Sequence, residues 1–152
     1  MALVEFIIKA KLSGYAAGRE VRKRKFKDGS LGFEFKSEGY RYLDRYYGFN
    51  PFSGTEHVYD AGGILIWKMN YYGKILETHS NSGRIYGFLR EAMSLVTPAF
   101  PFRGPAILEK EDFLYENRQN GSPESFHGVE SIYEGGKRVY VLYYHGGKMI
   151  RD

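Results

Sequence analysis

One nine-residue pattern is written twice in this chain. Residues 52–60 read Phe-Ser-Gly-Thr-Glu-His-Val-Tyr-Asp and residues 126–134 read Phe-His-Gly-Val-Glu-Ser-Ile-Tyr-Glu. Both fit F-x-G-x-E-x-[VI]-Y-[DE]. The recurrence extends outward. Tyr42-Leu-Asp-Arg-Tyr-Tyr-Gly48 matches Tyr115-Glu-Asn-Arg-Gln-Asn-Gly121, and Trp67-Lys-Met-Asn-Tyr-Tyr-Gly73 matches Tyr140-Val-Leu-Tyr-Tyr-His-Gly146. Upstream, Phe6-Ile-Ile-Lys-Ala10 resembles Phe88-Leu-Arg-Glu-Ala92. The spacing predicts two copies of one unit, about 1–75 and about 83–149, inside one domain that spans 1–152.

Each unit opens with an amphipathic helix. Leu3, Phe6, Ile7 and Ala10 form one apolar stripe; Ile85, Phe88, Leu89 and Ala92 form the other, with Pro98 and Pro101 stopping the second helix. Strands rich in Tyr, Phe, Val and Ile follow, over about 31–37, 40–47, 56–61 and 64–72, then about 106–109, 112–118, 129–134 and 138–145. Glu38-Gly39, Ala61-Gly62-Gly63 and Gly135-Gly136 read as hairpin turns. The expected fold class is therefore α+β, built of two pseudosymmetric repeats, each a helix followed by an antiparallel β-meander.

Side chains alternate along a strand. Tyr40, Tyr42 and Asp44 share one face, as do Trp67, Met69 and Tyr71. If Val58 points inward, Glu56 goes with it, and Glu130 accompanies Ile132 in the same way. A carboxylate on an apolar face must be hydrogen-bonded or resist ionisation. Three readings follow. The glutamates can be structural acceptors for Tyr or Arg. They can line a shared aromatic cleft for a cationic or hydroxyl-rich ligand. They can act as a general acid/base pair, assisted by His145 or Arg103. The cleft would draw on Tyr42, Asp44, Glu56, Trp67, Asn70, Tyr71, Arg103, Glu130, Tyr144 and His145. Arg103 sits in Pro101-Phe-Arg-Gly-Pro105, a loop with no counterpart in the first unit, where a guanidinium suits a carboxylate or phosphate.

The net charge of +4 is concentrated. Residues 19–27, REVRKRKFK, hold six basic residues and one acid, leaving the remainder nearly neutral. Arg22, Lys23, Arg24 and Lys25 can grip phosphates of a nucleic acid, or they can be a charged sheet edge that blocks aggregation. The absence of cysteine excludes disulfides, thiol nucleophiles and thiolate metal sites. No H-x-x-x-H spacing, G-x-S-x-G elbow or phosphate-binding glycine loop is present. Neither a metal nor a cofactor is expected. No apolar run approaches the roughly 18 residues of a membrane span. The acid and the lysine in the apolar start argue against a signal peptide, so the expected location is the cytoplasm.

Several motifs in fixed order resemble those of a family of uncharacterised bacterial proteins, a domain of unknown function. They are Ala10-Lys11 with Tyr15-Ala16, Tyr40-x-Tyr42-x-Asp44-Arg-Tyr-Tyr-Gly48, Phe52-x-Gly-x-Glu56, Trp67-x-Met-Asn-Tyr-Tyr-Gly73 and Pro101-Phe-Arg-Gly-Pro105. Leu43 departs from the family pattern, which would place a charged residue there. The resemblance implies no activity and no catalytic residue. The family's domain also occurs behind a helix-turn-helix, which hints at sensing or regulation; no such segment is expected here. The expected function is a cytoplasmic small-molecule-binding or sensory domain. The alternatives are an enzyme using Glu56 and Glu130, or an interaction module for protein or nucleic acid using residues 19–27.

Overall fold

A computed structural model describes residues 2–17, 21–76 and 81–149. Helix α1 (Leu3–Ser13) and helix α2 (Ser82–Met93) begin where expected, and a short 3-10 turn (Tyr15–Ala17) follows α1. Glu5 reaches back to the Ala2 amide at 3.2 Å, and Asn81 accepts the Arg84 amide at 3.0 Å, so a side chain satisfies one amide at each helix start.

The strands are β1 (Arg24–Lys25), β2 (Leu31–Ser37), β3 (Tyr40–Gly48), β4 (Phe52–Tyr59), β5 (Leu65–Ile75), β6 (Ile107–Lys110), β7 (Phe113–Ser122), β8 (Ser125–Glu134) and β9 (Lys137–Lys148). They form one antiparallel sheet in the order β1-β2-β3-β4-β5-β9-β8-β7-β6. The expected hairpin turns are all present. Glu38-Gly39 and Gly135-Gly136 both adopt positive φ, the geometry that a two-residue hairpin needs.

This sheet corrects the expected fold class. The chain is not a pair of helix-plus-meander repeats; it is a β-rich fold with helices of only 11 and 12 residues. The reason lies in the last strand of each meander. β5 and β9 pair with each other from Trp67↔Lys148 to Ile75↔Tyr140, a contact between residues some seventy positions apart. Left unpaired, each would expose a row of backbone donors and acceptors. Joined, they are the middle of one continuous sheet.

Both helices lie on the same sheet face. Phe6 of α1 packs on Phe35 and Tyr40 at centroid distances of 5.9 and 5.1 Å, and Phe88 of α2 stacks on Phe113 at 5.0 Å. That face carries the core, including Val58, Trp67, Met69, Ile132, Tyr140 and Leu142.

The recurring motif has a local cause. Gly54 lies opposite Tyr71, and Gly128 lies opposite Tyr144. In each case a Cβ on the glycine would collide with the tyrosine ring or hydroxyl. Glycine therefore lets a ring lie flat across the neighbouring strand and carry its hydroxyl to a third strand: Tyr71 to Asp44 on β3, Tyr144 to Asn117 on β7. The strands accordingly run through the motif rather than starting after it, and β4 and β8 begin earlier than expected. Replacing Gly54 or Gly128 with Ala should cost about 1–3 kcal/mol through overpacking. The check is a fall in the urea midpoint with an unchanged denaturant slope.

Candidate functional site

On the inner face, β3 and β4 place Asp44 directly opposite Glu56. Two carboxylates thus sit side by side beneath α1, and among the described residues only Glu56 is paired with a cation. Lys11, on the buried stripe of α1, donates to Glu56 Oε1 at 2.7 Å and to the Phe102 carbonyl at 2.7 Å. Tyr42 donates to the same Glu56 oxygen at 2.6 Å. Lys11 and Glu56 side chains are each 3% exposed. Burial draws the Lys11 pKa down, and Glu56 opposes that shift.

Asp44 receives one hydrogen bond, from the Tyr71 hydroxyl at 2.6 Å. Burial, and then the Glu56 charge across the strand pair, raise its pKa to about 7; the Tyr71 hydrogen bond, Lys11 and Arg103 limit the rise. The Tyr42 and Tyr71 hydroxyls are held well above their usual pKa, by burial first and then by Glu56 and Asp44 respectively, so both remain donors.

A second charged cluster adjoins the first. Arg103 grips Glu130 with two bonds, 3.1 and 2.8 Å, and Tyr140 adds a third at 2.9 Å. Tyr115 donates to Glu130 as well. Burial, the largest single influence, works against the guanidinium charge, but Glu130, Tyr140 and Tyr115 together outweigh it and the Arg103 pKa is raised. Because Phe102 accepts from Lys11 and Arg103 binds Glu130, the 101–105 loop ties the two clusters together.

Between α1, α2 and the sheet lies an open cavity of about 400 Å³. Its buried lining includes Lys11, Tyr42, Glu56, Tyr71, Leu89 and Arg103, with Asp44 beside them. Its exposed lining includes Lys23, Phe49, Gly87 and Arg90, which form the mouth. Phe52 and Tyr86 stand between, with ring centroids 5.8 Å apart and nearly perpendicular.

The structure brings together five expected site residues: Tyr42, Asp44, Glu56, Tyr71 and Arg103 all line this cavity. The others lie elsewhere. Trp67 is buried in a stack with Phe126 and Phe102, at 5.6 and 6.2 Å. Glu130 is sealed beneath its partners at 0% exposure. Tyr144 is buried and donates to Asn117. Asn70 and His145 face each other across β5 and β9 on the opposite face, where they line a second concavity of about 660 Å³ with Arg45 and His57.

Of the basic segment, Arg19 and Glu20 fall outside the described residues, as does His79. Arg24 and Lys25 form the edge strand β1, and Lys23 donates to the Tyr46 hydroxyl. Among the described residues no group of three His, Cys, Asp or Glu is placed to hold a metal ion. No helix among them is long and apolar enough to cross a membrane.

Sequence reasoning missed Lys11 as a site residue, along with Tyr46, Phe52, Tyr86 and Arg90; Lys23 entered only as a phosphate-gripping residue of the basic segment. Lys11 carried a readable signal. It stands four residues after Ile7, on the stripe that α1 buries, where an unpaired ammonium is not tolerated.

Two measurements test this arrangement. Lys11→Met should destabilise the fold by about 3–5 kcal/mol, because it strands the Glu56 carboxylate in the core; chemical denaturation reads this. Asp44 holds its proton more tightly in the folded than in the unfolded chain. The native state therefore binds the extra proton between about pH 4 and about pH 7, and stability falls as pH rises through that window. Asp44→Asn should remove this slope, so its melting temperature relative to wild type should be higher at about pH 8 than at about pH 5.

A family model described as a domain of unknown function, DUF5680, matches residues 44–149. The match includes Asp44, Glu56, Tyr71, Gly87, Arg90 and Arg103, and it begins after Lys11. Comparisons with curated proteins and with solved structures each returned no match. With well over half of the chain matched, the protein belongs to the DUF5680 family.

Proposed function

We propose that this protein is a cytoplasmic small-molecule-binding domain, sensory in role, whose ligand occupies the cavity between the two helices and the inner sheet face. One observation carries the reading: Asp44, a carboxylate with no cation partner among the described residues, borders an open, aromatic-walled cavity of about 400 Å³. That volume and that mixture of apolar walls with a few convergent polar groups suit a small organic ligand.

The mouth supports the same reading. Gly87 lies within α2, where glycine costs about 1 kcal/mol relative to alanine. A Cβ there would meet nothing within 4 Å. The position could therefore take a larger side chain with a gain in stability, at the expense of room at the mouth.

A second reading, general acid/base catalysis, is favoured by the Asp44 pKa of about 7, close to the operating range of such a group. It places the proton-transferring residue at Asp44. Glu56 and Glu130, the residues first considered, are each held by a cation.

The test uses one substitution that adds bulk at the cavity mouth without weakening the fold. Gly87→Leu should raise stability by about 0.5–1 kcal/mol. It should also abolish saturation-transfer NMR signals from fragments that bind the wild type. Fragment binding that survives unchanged in the stabilised Gly87→Leu protein would place the ligand site elsewhere.

A further inference from the structure

The buried charges at this site do not cancel, and the residue left over points to a ligand class. Lys11 is committed to Glu56 and the Phe102 carbonyl, and Arg103 to Glu130. The groups that face Asp44 are Glu56 from β4, Tyr71 from β5, Lys11 from α1 and Arg103 from the 101–105 loop. Both cations already have carboxylate partners, so one negative charge at the cavity floor is unmatched when Asp44 is ionised. At the mouth the excess is positive. Lys23 donates to the Tyr46 hydroxyl, and the Arg90 guanidinium lies 5.2 Å from the Tyr15 ring centroid. Among the described residues neither has a carboxylate partner. Tyr42 and Tyr71 reach the floor with their hydroxyls, and Phe52 and Tyr86 stand between floor and mouth.

Resting on the small-molecule reading above, we propose that the ligand is amphoteric, with an ammonium group bound to Asp44, an apolar or aromatic body along the tyrosine and phenylalanine walls, and an anionic group against Lys23 and Arg90. An ammonium supplies the charge that the floor lacks, and aromatic faces around it add cation–π attraction. A carboxylate or phosphate at the outer end meets Lys23 and Arg90, where solvent weakens but does not remove the pairing. An acid at the floor would instead face both Asp44 and Glu56.

Four substituted benzenes of similar size separate the contributions: 4-(aminomethyl)benzoate, benzylamine, 4-methylbenzoate and 4-methylbenzyl alcohol. Affinities are measured by calorimetry or by NMR shift titration on the whole chain. The proposal expects 4-(aminomethyl)benzoate to bind tightest, with benzylamine ahead of the alcohol by about tenfold, or about 1.4 kcal/mol. Asp44→Asn should weaken both amines about tenfold and leave 4-methylbenzoate unaffected. A double Lys23→Ala, Arg90→Ala variant should weaken the two carboxylates and spare benzylamine. Wild-type affinity for benzylamine should also rise from about pH 6 to about pH 8 as Asp44 ionises, since the probe keeps its charge throughout; this arm needs no variant to fold.

The inference is overturned if benzylamine binds no better than the alcohol, or if its affinity is flat with pH in wild type. In that event, alcohol or benzoate binding that Gly87→Leu abolishes would leave the cavity reading intact. If no probe of any charge binds at millimolar concentration, both the inference and the cavity reading fall.

Discussion

The structure turns on one unfavourable juxtaposition: Asp44 and Glu56 occupy directly opposed positions on neighbouring buried strands. Like charges so placed repel, Glu56 being fully buried and Asp44 half-buried at the edge of the cavity. The fold resolves the conflict unevenly. Glu56 takes a lysine delivered by α1 and a tyrosine from β3. Asp44 takes only the Tyr71 hydroxyl and is left close to its proton at neutral pH. The cavity lies against the carboxylate that was left without a cation.

Other features follow from holding this pair in place. Tyr71 reaches Asp44 because Gly54 leaves its path open across β4. Lys11 reaches Glu56 because α1 buries its charged position along with Ile7 and Ala10. The 101–105 loop fixes the geometry from the other side, with its Phe102 carbonyl on Lys11 and its Arg103 on Glu130. Buried ion pairs of this kind contribute little net stability over apolar packing, yet breaking one partner away is costly. They define geometry more than they strengthen the fold. A site whose walls are fixed in this way presents its one uncommitted group at a set position.

Much of the local structure was legible in the sequence. The helical stripes at Phe6, Ile7 and Ala10 and at Ile85, Phe88 and Leu89 are buried as their spacing requires. The inward placement of Glu56 and Glu130 followed from alternation with Val58 and Ile132 and holds. The same rule separates Asn70 from Tyr71, since adjacent strand residues face opposite ways, yet the expected cleft included both. The error in fold class has a different origin. A recurring motif reports which local interactions recur, here a tyrosine laid across a glycine and a tyrosine hydroxyl on a glutamate. It does not report which strands pair at long range. The β5–β9 ladder and the Lys11–Glu56 contact join residues far apart in the chain, and no periodicity encodes such a meeting. Gly87 was invisible for a related reason: its meaning depends on the empty space beside it.

The central claim is that Asp44 stands without a cation at the floor of an open site, beside a carboxylate that has one. Carbon-13 NMR of the aspartate side-chain carboxyl, followed against pH in the ligand-free protein and assigned through Asp44→Asn, tests this most directly. The account predicts a midpoint near pH 7 for Asp44. A midpoint at or below the ordinary aspartate value of about 4 would mean that a positive charge already satisfies this group, and the account would be wrong.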